Sequence, residues 1–210
     1  NLEKLPNGLG SLAGKINDLG MKFGLWVEPE MISPDSELYR NHPDWCIHAK
    51  GRRRTENRYQ LVLDISRSEV REYITNILTE ILKSANIEYI KWDCNRNITE
   101  TQNTEQRHRF ILGLYEILET LTQRFPNVLF ESCSGGGGRF DPGMLYYMPQ
   151  VWTSDNMNPI SRINIQYGTS LVYPSITMAA HVGGIDVGYE RKNKYMEFCA
   201  HVAMAGNFGY

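Results

Sequence analysis

The sequence predicts an α/β fold built on a parallel sheet, and three observations lead there. Short apolar runs alternate with amphipathic stretches of helical period, the order that parallel strands with crossover helices require. Polar and glycine residues gather just after the ends of the extended runs, at 28–30, 93–97, 131–138 and 154–158. Active sites of (β/α)8 barrels and of doubly wound sheets both occupy that edge. About five strand candidates can be read, too few for a closed eight-stranded barrel. Two architectures remain: a barrel without its first strands, or a smaller open sheet.

Each element has its own warrant. Leu9, Leu12, Ile16 and Leu19 have helical spacing, and Gly20 is placed to end that helix. Residues 22–27 read as a strand ending in Glu28-Pro29-Glu30, and residues 31–60 as a long polar loop with a helical turn near 36–41. Leu61-Val62-Leu63-Asp64 is extended. Ser66 and Glu69 then have capping-box spacing for a helix striped by Val70, Tyr73, Ile74, Ile77, Leu78, Ile81 and Leu82. A strand at 88–93 follows, and then a helix carrying Phe110, Ile111, Leu114, Ile117, Leu118, Leu121 and Phe125, which ends before Pro126. The run 128–133 is a strand closed by Ser134 and four glycines. Another strand covers 150–154, after which Asn158-Pro159 reads as an N-cap with proline at the first helical position. A strand near 170–173, a loop, and a helix at about 191–204 complete the chain.

Composition narrows the function. The 210 residues, 41% hydrophobic, suffice for one domain or part of a larger one. A net charge of −2 argues against nucleic acid or an anionic membrane as partner. Four scattered cysteines (46, 94, 133, 199) make no C-x-x-C pair, which predicts neither zinc site nor disulfide framework and fits a reduced, cytoplasmic setting. There is no signal-like N-terminus and no apolar run of about 18 residues, so no membrane association is expected. Gly135–Gly138 make neither a P-loop nor a dinucleotide fingerprint, since Phe140 stands where the latter needs glycine. No cofactor or metal is expected. The five histidines do not cluster, and His181 is the one worth following.

The chemistry lies on two strand ends. Lys91 and Asp93, two apart on an apolar strand, share a face, and a neighbouring cation favours an ionised, nucleophilic carboxylate. The plain alternative is a structural ion pair. Asp155 ends the second acidic strand, where the competing role is to cap the following helix. Glycoside hydrolysis uses two carboxylates, one attacking and one moving protons. Trp26, Trp92 and Trp152 lie on three different strands, and indole faces suit the C–H faces of sugars. Trp92 alternates away from Asp93, towards the helices. The glycine run either lets backbone approach a ligand or supplies strained turns. Two other readings stay open. Glu28, Asp93, Glu131 and Asp155 could hold Mg²⁺ for enolate chemistry with Lys91 as base, or the chain is a silent fragment that binds sugar or assembles.

Taken together in order, Trp26-Val27-Glu28-Pro29-Glu30-Met31, Lys91-Trp92-Asp93-x-Asn95-Arg96, Glu131-Ser132-Cys133-Ser134 with its glycines, and Trp152-Thr153-Ser154-Asp155-Asn156 resemble the bacterial α-galactosidases of glycoside hydrolase family 36. The resemblance implies a retaining exo-glycosidase acting on terminal α-1,6-galactosides of the melibiose and raffinose type. It implies Asp93 as nucleophile and Asp155 as acid/base. Trp26, Arg58, Lys91, Cys133, Gly135 and Gly136 would contact the sugar, with Asn95 a further contact. The fold implied is a partial (β/α)8 TIM barrel, about strands three to eight, with residues 1–210 as a single catalytic domain. The first strands and the flanking β-domains would lie outside the chain. The family also suggests a homo-tetramer.

Overall fold

A computed structural model of the protein describes residues 3–183 and 192–210. It divides into two compact units, Asn1–Leu129 and Phe130–Tyr210.

In the first unit, helix α1 (Gly8–Asp18) ends as expected: Gly20 sits at φ +77° and donates its N–H to the Asn17 carbonyl at 2.8 Å. Only glycine takes that left-handed position without strain. Strand β1 (Gly24–Val27) pairs in parallel with β4 (Tyr89–Asp93), and the register sets Trp26 opposite Lys91. Between them in sequence, β2 (Met31–Ile32) and β3 (Leu61–Val62) form an antiparallel ribbon that the reading of 31–60 as loop misses at its start. The helical turn is present as α2 (Glu37–Asn41), capped by the Ser36 hydroxyl, which accepts from the Tyr39 N–H at 3.1 Å.

Helix α3 (Ser68–Lys83) buries Val70, Ile74, Leu78 and Leu82, and packs against α4 (Thr104–Arg124), which buries Phe110, Leu114, Ile117, Leu118 and Leu121. Both predicted stripes therefore meet each other. The capping box does not form. Ser66 donates its hydroxyl to Asp64, and the Glu69 carboxylate accepts from Arg67 instead of reaching back to the cap. Two charged partners outbid the neutral cap interaction, since hydrogen bonds with an ionised group are about twice as strong.

In the second unit, β5 (Leu129–Cys133, its first residue closing the preceding unit), β6 (Gln150–Trp152), β7 (Met178–His181) and β8 (Asn207–Gly209) run parallel in that order. Helix α5 (Pro142–Tyr147) is capped by Asp141. Helix α6 (Pro159–Ser170) is capped as expected by Asn158, whose side chain accepts from the Ile160 and Ser161 N–H groups. Helix α7 covers Lys192–Ala203, and residue 191 of the expected helix lies outside the described residues.

The strand expected near 170–173 is a correction. Helix α6 runs to Ser170, and Val172 and Tyr173 both donate to the Thr169 carbonyl in a turn, with Leu171 and Val172 exposed. The strand lies later, at the buried Met178–Ala180 run. Small, evenly apolar strands carry no alternation to mark them, whereas Leu-Val-Tyr before a proline imitates one. Strand β8, with two of its three residues Asn and Gly, gave no signal at all. Among the described residues no helix is long and apolar enough to cross a membrane.

Candidate active site

In the first unit the site is built around the end of β4. Asp93 is 6% exposed, and both its oxygens are engaged: Oδ2 accepts from Trp26 Nε1 at 3.1 Å and Oδ1 from its neighbour's N–H, that of Cys94, at 2.9 Å. Two N–H donors stabilise its negative charge and fix the rotamer. Lys91 lies two residues back on the same face of β4. Trp26 donates from its ring edge yet remains 52% exposed, so indole surface is open beside the carboxylate.

Glu28 organises the rest. Its Oε1 accepts from Asn95 Nδ2 at 2.7 Å and its Oε2 from Gln60 Nε2 at 2.9 Å, which ties the end of β1 to the β4 loop and to the segment before β3. Gln60 closes a tight turn with Asn57, the two exchanging backbone bonds at 2.9 and 3.2 Å. The central residues, Arg58 and Tyr59, sit at φ +56° and +57°, and both are exposed. Neither is a glycine, and such backbone is strained by about 1–3 kcal/mol per residue. Arg58 is thus presented at a turn tip that Gln60 anchors. Trp92, expected to turn away from Asp93, is fully buried and donates to Glu30 at 2.8 Å.

In the second unit the centre is Asp155, exposed just past β6, whose Oδ1 accepts from Trp152 Nε1 at 2.8 Å. Asn158 takes the helix-capping role, so Asp155 is not spent there. Cys133 is buried with Trp152 and Ala179, Met157 packing alongside. The glycines explain themselves by crowding. Gly136 has φ +89°, and a Cβ there would stand 2.9 Å from Ser154 Cα and 3.1 Å from the Asp155 nitrogen. Gly135, at φ +53°, faces open space. The run therefore supplies strained turns, one of the two purposes weighed from sequence, and Gly136 lets the backbone pass close to the Asp155 segment.

Sequence reasoning missed three residues. Glu28 was weighed only as a metal ligand, yet two amide N–H groups occupy its oxygens, and Glu131 likewise accepts from Gln150. Those arrangements give no support to the magnesium alternative. Gln60 carried no signal. Arg162, two residues after Ile160 on an unremarkable helix, is 2% exposed and reaches the Ser154 carbonyl. His181, singled out earlier, ends β7 with its ring 4.6 Å from that of Trp152.

Each unit thus carries, at the end of a strand in a parallel sheet, a carboxylate held by an indole N–H, the edge on which (β/α)8 barrels carry their sites. The chain belongs to the melibiase family, whose model matches residues 1–210. It is 56% identical to α-galactosidase AgaA of Geobacillus stearothermophilus, over 100% of this chain and 30% of that protein. It is 48% identical to α-galactosidase C of Emericella nidulans, over 100% of this chain and 29% of that one. The crystal structure of the family 36 α-galactosidase AgaB from Geobacillus stearothermophilus superposes with a TM-score of 0.95 at 57% identity, and that of AgaA with 0.94 at 56%; each match covers 100% of this chain and 30% of that chain. Variants of AgaA have been solved in complex with raffinose and with stachyose. Of the two architectures open from sequence, the fold is the partial (β/α)8 barrel. The chain spans about 30% of the length of the curated relatives it matches.

Proposed function

We propose that this chain supplies both catalytic carboxylates of a retaining α-galactosidase that removes terminal α-1,6-linked galactose from oligosaccharides of the melibiose and raffinose type. The observation that carries this reading is that Asp93 and Asp155 are each gripped by a tryptophan N–H, at 3.1 and 2.8 Å, at the end of a parallel strand. The raffinose and stachyose complexes of AgaA, a relative of more than half identity, point to the same substrate class.

In the proposed reaction Asp93 attacks the anomeric carbon while Asp155 gives its proton to the departing glycosidic oxygen. The resulting galactosyl ester on Asp93 is then opened by water, from which Asp155 takes a proton, restoring both carboxyl groups. Trp26 offers its exposed ring to the sugar and holds Asp93 with its N–H. Lys91, Arg58 and Asn95 meet hydroxyls, and Gly135, Gly136 and Cys133 shape the wall.

The test is a turnover assay with an aryl α-galactoside on the 210-residue chain and on the complete protein that carries it, each with and without Asp93→Asn. A fluorinated mechanism-based galactoside should add its mass to the peptide containing Asp93, and the first-formed product should be α-galactose. Label on another residue, or β-galactose formed first, refutes the double displacement.

A further inference from the structure

Arg162 is a cation carried into the interior of the second unit, and nothing in the reaction so far uses it. Its side chain is anchored on α6 and reaches in three directions. Nε donates to Gln166 Oε1 at 3.0 Å, Nη1 to the Ser154 carbonyl at 3.0 Å, and Nη2 to the Ala179 carbonyl of β7 at 3.1 Å. All three acceptors are neutral. The guanidinium carbon also stands 5.2 Å from the centre of the Trp152 ring. Burial lowers the Arg162 pKa, the mark of a charge held at a cost.

A buried charge of this kind is a poor way to stabilise a fold, because a packed apolar side chain serves as well or better. What the guanidinium does that an apolar residue cannot is hold two sides of Asp155. The Ser154 carbonyl that it binds belongs to the peptide leading into Asp155. The Trp152 ring that it covers is the one whose N–H grips Asp155 Oδ1 at 2.8 Å. A cation on an indole face draws electron density from the ring and strengthens its N–H as a donor. Gly136 lies close to the same peptide: a Cβ there would stand 2.9 Å from Ser154 Cα and 3.1 Å from the Asp155 nitrogen.

We infer that Arg162 is the positioning residue of Asp155, fixing the acid/base through the Ser154 carbonyl and the Trp152 ring. The inference rests on the acid/base role proposed for Asp155. Lysine cannot replace it, since one ammonium lacks the planar fork that meets three acceptors.

The test uses Arg162→Met, Arg162→Lys and Asp155→Ala in the complete protein, each assayed on an alkyl-linked galactoside and on a dinitrophenyl galactoside. The second leaving group departs without a proton, so only the first needs a well-placed acid. Arg162→Met should lose about 10- to 100-fold in kcat/KM, which reports formation of the galactosyl ester, on the alkyl substrate, the scale of a misplaced catalytic group, and under about 3-fold in kcat/KM on the activated one. Arg162→Lys should show the same imbalance. If Arg162→Met yields no soluble protein, Arg162→Lys decides alone. Equal losses on both substrates, or a wild-type ratio, overturn the positioning role while Asp155→Ala still shows the imbalance. An Asp155→Ala variant with no imbalance overturns the acid/base reading itself, and the inference with it.

Discussion

Gly136→Ala tests how tightly the Asp155 segment is held. The added methyl would sit 2.9 Å from Ser154 Cα, 3.1 Å from the Asp155 nitrogen and 3.4 Å from the Ser154 carbonyl carbon, all backbone atoms that cannot rotate aside. Carbon atoms rest comfortably at about 3.5–4.0 Å, so relief needs a shift of roughly 0.6 Å or more. Two costs combine. Holding alanine at φ +89° costs about 1–3 kcal/mol, and overpacking against fixed backbone costs about 1–3 kcal/mol. If the loop stands firm, the complete protein loses about 2–6 kcal/mol of stability, a large share of the usual ~5–15 kcal/mol margin. If the loop yields, stability suffers less and Asp155 moves, with a loss approaching ~100-fold in kcat for a displacement near 1 Å. Gly135→Ala is the internal control, because its Cβ would meet nothing within 4 Å and only the backbone strain at φ +53° remains. That variant should keep kcat and, if the wall contacts sugar, raise KM. Thermal unfolding and steady-state kinetics on both variants separate the outcomes. A Gly136→Ala protein with unaltered melting temperature and unaltered kcat would refute the reasoning.

Other substitutions probe the remaining supports. Trp26→Phe keeps a ring beside Asp93 but deletes the N–H at 3.1 Å. Removing a hydrogen bond to a charged group, worth about 1.5–3 kcal/mol, should lower kcat by about 10- to 150-fold, and a kcat within twofold of the parent would count against that bond. Glu28→Gln sets one amide N–H pair against another at Asn95 or Gln60, an unsatisfied contact costing about 1–3 kcal/mol; kinetics with a galactose-based inhibitor should show weakened binding, and unchanged affinity would deny Glu28 its organising part. Burial pushes the Cys46 thiol up from 9.0 to about 11. The folded state thus disfavours the thiolate, and the stability this thiol contributes is fully present below pH 9 and lost as pH rises towards 11. At pH 8 iodoacetamide should leave Cys46 unmodified until denaturant is added, as read by peptide mass; rapid labelling of the native protein would contradict its burial.

How much of this was legible in the sequence depended on the kind of signal. The stripes of α3 and α4 were plain because a helix half in water must alternate on a 3.6-residue period. Asn158-Pro159 was plain because cap and proline each have one local reason to stand there. Asp93 and Asp155 stood out as candidates because charge at the end of an apolar strand is costly unless used. Strands β7 and β8 failed for the opposite reason: one is buried without alternation, the other short and polar. Gln60, Glu28 and Arg162 were hidden because their meaning lies in partners distant in sequence, 32 residues for Gln60 with Glu28 and 17 for Arg162 with Ala179. No local pattern encodes such a pairing.

The two carboxylates are held in unlike ways, and the proposed division of labour accounts for the difference. A nucleophile must keep its charge and its aim, and Asp93 is buried with an N–H donor on each oxygen. An acid/base must lose and regain a proton in every cycle, so it needs access to water and cannot be saturated with donors. Asp155 is exposed, accepts among the described residues from the Trp152 N–H on Oδ1, and has its peptide close to Gly136 and bound by Arg162 at the Ser154 carbonyl. Steadying the peptide, with the Trp152 N–H on one carboxyl oxygen, leaves the acid fixed in place and open to water. Were the roles reversed, Asp93 would have to release its proton from behind two donors and Asp155 would have to attack from the more open position. The leaving-group dependence of kcat/KM in Asp93→Ala and Asp155→Ala distinguishes the assignments directly, since in the first step only loss of the acid should be forgiven by an activated aryl galactoside.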